Sequence, residues 1–197
     1  MLFRSQESAL LAASALGYPV AVKGLSRQVS HKSDAGLVAL DVTDDEQLLA
    51  AFEKISTRLG RQDGDENRPR LMVQRMLSGG REVIIGGKRD TSFGPVVMFG
   101  LGGVYVEALE DVVFRLAPLS RGHARQMVNE LHGSDLLYGV RGEPPVDLDA
   151  VLEALLSMSN LLIACPEIVE VEINPLLVRP ADAAAIDARA VLRRQGT

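Results

Sequence analysis

LMVQRMLSGGREVIIGGKR, residues 71–89, sets two apolar runs on either side of Ser78-Gly79-Gly80. The spacing predicts a strand over 71–77, a glycine turn and a second strand over 81–89, together a hairpin. Downstream, short apolar runs predict strands at 96–99, 104–107 and 112–116, and three more at 168–173, 176–178 and 184–187. Helical patterns are interleaved with them. Neighbouring hairpins mixed with helices argue for an α+β fold and against a purely parallel, doubly wound sheet.

Working outward from that stretch, residues 5–16 read as a helix, with Ser5 able to cap it and Gly17 stopping it. A strand over 18–23 ends on Lys23, a polar loop runs over 24–35, and a second strand spans 37–42. Thr43 is expected to cap a helix to about Arg58, with Glu46 three residues on completing a capping box. Residues 61–70 (RQDGDENRPR) are polar and aperiodic, which makes them the expected boundary between a lobe 1–70 and a lobe 71–197. Ser120 opens a helix to Leu131. The clearest helix runs from about Asp147 to Ala164, where Leu148, Val151, Leu152, Leu155, Ser159 and Leu162 recur on one face.

Bulk composition narrows the function classes. The 197 residues are 47% hydrophobic and 24% charged, enough to fill a real core in a globular chain. A formal net charge of −5 excludes a surface-wide nucleic-acid footprint but allows a locally basic site for an anionic nucleotide. One cysteine, Cys165, rules out a disulfide framework within the chain and fits a reducing cytoplasm. No apolar run approaches the ~20 residues of a membrane helix, and residues 1–6 lack a signal-peptide pattern.

Four features offer chemistry, each beside a plainer account. Lys23, at a strand end, can reach a phosphate as a point charge, or it is an ordinary lysine in water. His31-Lys32-Ser33-Asp34, followed by Gly36, puts a nucleophilic imidazole in a loop, or it is a solvated polar turn. Phe99-Gly100-Leu101-Gly102-Gly103 lets backbone approach a ligand and form an anion nest, or it is a common glycine turn; it lacks the lysine spacing of a P-loop. Glu172-Ile173-Asn174-Pro175 places Glu172 and Asn174 on one strand face, and Asp187 follows at a distance that allows a second carboxylate. That set suits a hard cation holding phosphate oxygens, or it is a polar strand edge. Together, an amine, an anion nest and an acid-plus-amide pair are the parts a Mg-nucleotide site needs.

Residues 17–23 (GYPVAVK), 31–36 (HKSDAG), 80–86 (GREVIIG) with Arg89-Asp90, 93–103 (FGPVVMFGLGG), 114–119 (FRLAPL), 139–145 (GVRGEPP), 172–176 (EINPL) and 187–189 (DAR) occur in colinear order. They resemble the ATP-grasp part of the NDP-forming acyl-CoA synthetases, of which the ADP-forming acetate–CoA ligases are members; the match covers about residues 15–192. The EINPL string is also similar to succinyl-CoA synthetase β subunits.

The resemblance implies an ATP-grasp fold of two α/β lobes with a nucleotide cleft between them. It implies ATP or ADP and Mg²⁺ as ligands, and energy passing through an acyl phosphate and then phosphohistidine. His31 matches the histidine that carries the phosphoryl group, and Lys23 the lysine on the nucleotide phosphates. Val73, Gln74, Arg75 and Met76 match the hinge strand whose backbone reads adenine, and Glu82 the acid near the ribose. Gly100, Gly102 and Gly103 match the glycine loop. Glu172, with a catalytic role, and Asn174 and Asp187 match the metal and phosphohistidine-loop cluster. The implied partners are CoA-binding and ligase domains or an α subunit, with no nucleic acid and no membrane; oligomeric state stays open.

Two departures accompany the resemblance. Leu37 replaces a second glycine after the HKSD segment, and Glu172 stands where the family often has Asp. The chain also begins late relative to the family's domain, so an N-terminally truncated fragment or subunit is expected. Two rivals come from other classes. One is a nucleotide-sensing regulatory domain of a fused protein lysine acetyltransferase; the other is an assembly subunit with a degenerate site.

Overall fold

The computed structural model describes residues 2–3, 5–25, 35–63, 70–102 and 111–193. His31, Gly103 and the expected strand at 104–107 lie outside the described residues. Chain contacts divide the protein into two compact units, Met1–Ser78 and Gly79–Thr197.

Among the described residues, the first unit is a four-stranded antiparallel sheet with two helices. Its elements are β1 (Leu2–Phe3), α1 (Gln6–Leu16), β2 (Val20–Gly24), β3 (Val38–Val42), α2 (Asp45–Asp63) and β4 (Leu71–Arg75), in sheet order β1-β4-β2-β3. Ser5 caps α1 by accepting from the Ser8 N–H, and Gly17, at φ +77°, ends it with its N–H on the Ala13 carbonyl. The cap of α2 differs from the expectation. Asp44 Oδ1, not Thr43, accepts the Gln47 N–H at 2.8 Å, because a carboxylate complements the helix N-terminus better than a hydroxyl. Val20, Val22, Leu71 and Val73 alternate onto the face that buries Ala9, Ala13, Leu48, Phe52 and Ile55. Tyr18 ties the start of β2 to α2 through a 2.6 Å bond to Asp45. Burial, that bond and the charge of Asp45 push the phenol up to about 12.

The second unit holds β5 (Arg81–Asp90), β6 (Gly94–Leu101), β7 (Val112–Leu116), α3 (Arg121–Glu130), α4 (Asp135–Tyr138), α5 (Leu148–Ala164), β8 (Ile168–Val178), β9 (Ala183–Ala185) and β10 (Ala188–Leu192). All its pairings are antiparallel, in the order β10-β8-β5-β6-β7, with β9 also on β8. Ser120 caps α3 as the sequence predicts, and Asp147, at the expected start of α5, caps that helix by accepting from the Ala150 N–H. Helix α5 buries Val151, Leu152, Leu155, Ser159 and Leu162 against Val83, Ile85, Val97 and Phe99. Ser159, fully buried, accepts the Leu119 N–H at 2.8 Å, so the helix holds the β7–α3 connection as well as the sheet.

The expected hairpin of 71–77 with 81–89 does not form. β4 pairs with β1 and β2, while β5 pairs with β6 and β8. Gly79 and Gly80, at φ +72° and +94°, carry the chain from one sheet to the other. A Cβ at Gly80 would lie 2.5 Å from the Val178 carbonyl oxygen, so that passage requires glycine. The contact boundary therefore falls after Ser78 and not after Arg70. The actual hairpin is β5–β6, whose turn is held by Asp90 Oδ1 accepting from Ser92 N and Phe93 N. The runs 168–173 and 176–178 fuse into one strand, and β10 appears where the sequence predicted none.

Candidate functional site

In the first unit, Lys23 sits on β2, between Val38 of β3 and Met72 of β4. Strand alternation sends Val20 and Val22 toward the helices, so Ala21 and Lys23 take the opposite face together with Met72 and Gln74 of β4. Lys23 is only 4% exposed, which sets it apart from a solvated strand-end lysine. Beyond it, Gly24 N donates to Leu37 O and Leu25 N to Arg70 O, so both neighbours clamp the end of the strand.

β4 sorts its own backbone. Met76 N donates to Pro19 O, on the β2 side. Alternation then points the backbone groups of Gln74 toward β2 and those of Val73 and Arg75 toward the other edge. There, among the described residues, β1 pairs at Leu71 and Met72. The Val73 side chain is buried in the core, and the Arg75 guanidinium donates twice to Leu16 O, at 2.9 and 2.7 Å, closing the end of α1.

In the second unit the structure brings Glu172, Asn174 and Asp187 together. β8 runs between β5 on one side and β9 and β10 on the other. Glu172 faces Gly86 of β5 and Arg189 of β10. Asn174 Nδ2 donates to Glu172 Oε1 at 2.9 Å, which leaves the amide oxygen of Asn174 directed to other partners. Asn174 N donates to Asp187 O, and Ile186 N to Pro175 O, so the backbone locks the two segments in register. The Asp187 carboxylate accepts from Ala188 N at 2.9 Å. The pairing of β8 with β5 shifts by one residue between Val83 and Ile85, which puts a bulge at Asn174-Pro175. A bulge suits a proline, which has no ladder N–H, and it re-aims the neighbouring side chain.

Two carboxylates and an amide oxygen form a hard-donor set that fits Mg²⁺. Among the described residues no group of three or more His, Cys, Asp or Glu is arranged to hold a metal ion. A cation at Glu172, Asn174 and Asp187 would therefore complete its shell with phosphate oxygens and water.

The glycine run departs from the expected nest. Gly100 lies inside β6, paired with Ile84 and Val112. Gly102 N donates to Glu82 O, and a Cβ at Gly102 would lie 2.7 Å from the Glu82 carbonyl carbon. These two glycines serve close backbone packing, and the Gly102 N–H is already committed. Glu82 is thereby fixed beside the glycine run, with its own side chain exposed.

Two features escaped the sequence reading. Arg189 stands directly across from Glu172; its signal was alternation along a strand that was not predicted. Asp111 is a buried carboxylate accepting from His132 N, Gly133 N and His132 Nδ1. Burial alone would raise its pKa, yet the hydrogen bonds from Gly133 and His132 hold it below the ordinary aspartate value.

Comparison with known proteins fits this geometry. An ATP-grasp domain family model matches residues 1–192, and the chain belongs to that family. Over 189 residues it is 41% identical to the acetate–CoA ligase [ADP-forming] I subunit β of Pyrococcus furiosus, covering 96% of this chain and 82% of that one. It is 44% identical to the acetate–CoA ligase [ADP-forming] I of Archaeoglobus fulgidus, again over 96% of this chain but only 27% of that protein's length. Among solved structures, it matches the acetyl-coenzyme A synthetase 1 of Ca. Korarchaeum cryptofilum at a TM-score of 0.81 and 38% identity, covering 98% of this chain and 84% of that one. That structure holds coenzyme A and Mg-AMPPCP, with its phosphohistidine segment pointing towards the nucleotide binding site. Among the described residues, no helix is long and apolar enough to cross a membrane.

Proposed function

We propose that this chain is the nucleotide-binding, phosphoryl-transferring part of an NDP-forming acyl-CoA synthetase of the acetate–CoA ligase type. The observation that carries the reading is the locked Glu172–Asn174–Asp187 set within a chain of this family.

Lys23 neutralises nucleotide phosphate charge from the first unit. The outward backbone edge of Val73 and Arg75 reads adenine, with Gln74 and Met76 holding that strand against β2. Glu82 serves the ribose. Glu172, Asn174 and Asp187 would hold Mg²⁺, which would supply charge neutralisation on the phosphates. Glu172 fixes the Asn174 amide and is the acid that serves the phosphohistidine step. In the direction of ATP use, an imidazole nitrogen of His31 attacks the terminal phosphorus. The N–P bond forms, the P–O bond to ADP breaks, and ADP leaves with the electron pair. ATP synthesis is the reverse step. The acyl and CoA chemistry belongs to partner CoA-binding and ligase domains or an α subunit, in the cytoplasm.

The test is incubation with Mg-ATP labelled on the terminal phosphate. Acid-labile, base-stable label on His31, absent from His31→Ala, is the expected result. An unlabelled chain that binds the nucleotide would exclude the relay and leave a nucleotide sensor.

A further inference from the structure

The face of the second sheet opposite its helices carries Glu170 and Glu172 on β8, Gly86 and Lys88 on β5, and Arg189 on β10. Registers place Lys88 opposite Glu170, and both Gly86 and Arg189 opposite Glu172. On the β5 side Glu172 faces a glycine with the Met98 side chain packed over it, and on the β10 side its register partner is Arg189, whose guanidinium reaches toward Glu170.

We propose that Arg189 is a phosphate-contacting residue that lets this site prefer a nucleoside polyphosphate to a monophosphate. The inference rests on the nucleotide reading above and adds to it a residue that gives selectivity for the phosphate tail. Three lines of argument support it.

The first is charge. Glu170, Glu172 and Asp187 cluster where a polyphosphate would have to lie. A divalent cation offsets only part of that negative charge; Lys88 lies opposite Glu170, and Arg189 is the cation in register with Glu172. The second is geometry. Cross-strand neighbours have Cβ atoms ~5 Å apart, and a guanidinium fork matches two oxygens of one phosphate. The third is availability. Arg189 Nη1 lies 3.7 Å from Glu170 Oε1, with the two side chains 48% and 41% exposed. An ion pair that long and that open contributes little, so exchanging Glu170 for a phosphate oxygen costs little. A competing account makes Arg189 a guard of the exposed edge strand. That role concerns charge on an edge and is blind to nucleotide identity.

The experiment is calorimetric titration of wild type, Arg189→Met, Arg189→Lys and Glu170→Gln with Mg-ATP, Mg-ADP and AMP, with melting curves as a fold control. Arg189→Met is expected to weaken Mg-ATP about 10- to 100-fold, the range of a charge-assisted hydrogen bond, and to leave AMP within about twofold. Arg189→Lys falls between, because it keeps the charge and loses the fork. Glu170→Gln binds Mg-ATP at least as tightly as wild type, since a competitor for the guanidinium is removed. Equal Mg-ATP affinity in wild type and Arg189→Met overturns the role of Arg189 alone. So does a parallel loss of ATP and AMP. A wild type that binds none of the three overturns the nucleotide reading itself, and this inference with it.

Discussion

The two units solve the same packing problem and expose their chemistry differently. Each lays helices on a sheet and closes a helix C-terminus with a strand arginine: Arg75 on Leu16 in the first, Arg89 on the carbonyls of Leu162, Cys165 and Ile168 in the second. In the first, the candidate cation is buried within the sheet at Lys23. In the second, the candidate anion Glu172 lies on the sheet's surface and is held by the Asn174 amide. A lysine 4% exposed on its strand is held in place by what packs over it. A surface carboxylate needs a neighbour to fix it, and Asn174 is that neighbour for Glu172.

Glycine substitutions give the sharpest contrast. Gly102→Ala forces a methyl into the Glu82 backbone, which cannot yield as a side chain would. Its expected cost is about 3 kcal/mol in denaturant unfolding. Gly17→Ala in the first unit meets no neighbour and bears only its φ of +77°, costing about 1 kcal/mol. Equal losses would mean that Gly102 is not pinned by β5.

The arginine clamps come next. Arg89→Ala, which strips three carbonyls of a partly buried donor, is expected to cost about 2 kcal/mol. Arg75→Ala, at an exposed carbonyl, should cost about 1 kcal/mol. Reversal of that order, read from unfolding midpoints, would put the weaker helix end in the second unit.

The smallest effect is in pH, where the units should fail at opposite ends. Tyr18 has a raised pKa, so its contribution is complete below about pH 10 and fades as pH rises toward 12. Tyr18→Phe should therefore narrow its stability gap to wild type in strong alkali. Asp111 has a lowered pKa, so its contribution is present above the ordinary aspartate range and is lost as pH falls through the depressed value. The gap between wild type and Asp111→Asn should close in acid. A gap that stays constant across either range would detach that residue from the linkage.

The helices of the second unit were legible because capping and apolar periodicity are local: Asp147, Ser120 and the Val151–Leu162 face all act within a few turns. The 71–89 hairpin misled because two apolar runs around a glycine pair say nothing about which sheet accepts each run. Burial of Leu71 and Val73 under α1 and α2 decided that. Pro175 hid the continuity of β8, since a proline reads as a break unless the bulge that accommodates it is known. That Glu172 and Asn174 share a strand face was legible from alternation. That the Gly102 N–H is committed was not, because its partner is Glu82, far away in sequence. Arg189 depended on a strand whose alanine-rich sequence has weak β propensity.

Because β8 is flanked along both edges, the amides of residues 172–174 are sealed in the middle of a cooperative block. They reach deuterated solvent only when most of the second unit opens, so exchange there reports its global stability and not local fraying. Heat or denaturant should leave the acid-plus-amide pair assembled until its whole scaffold is lost.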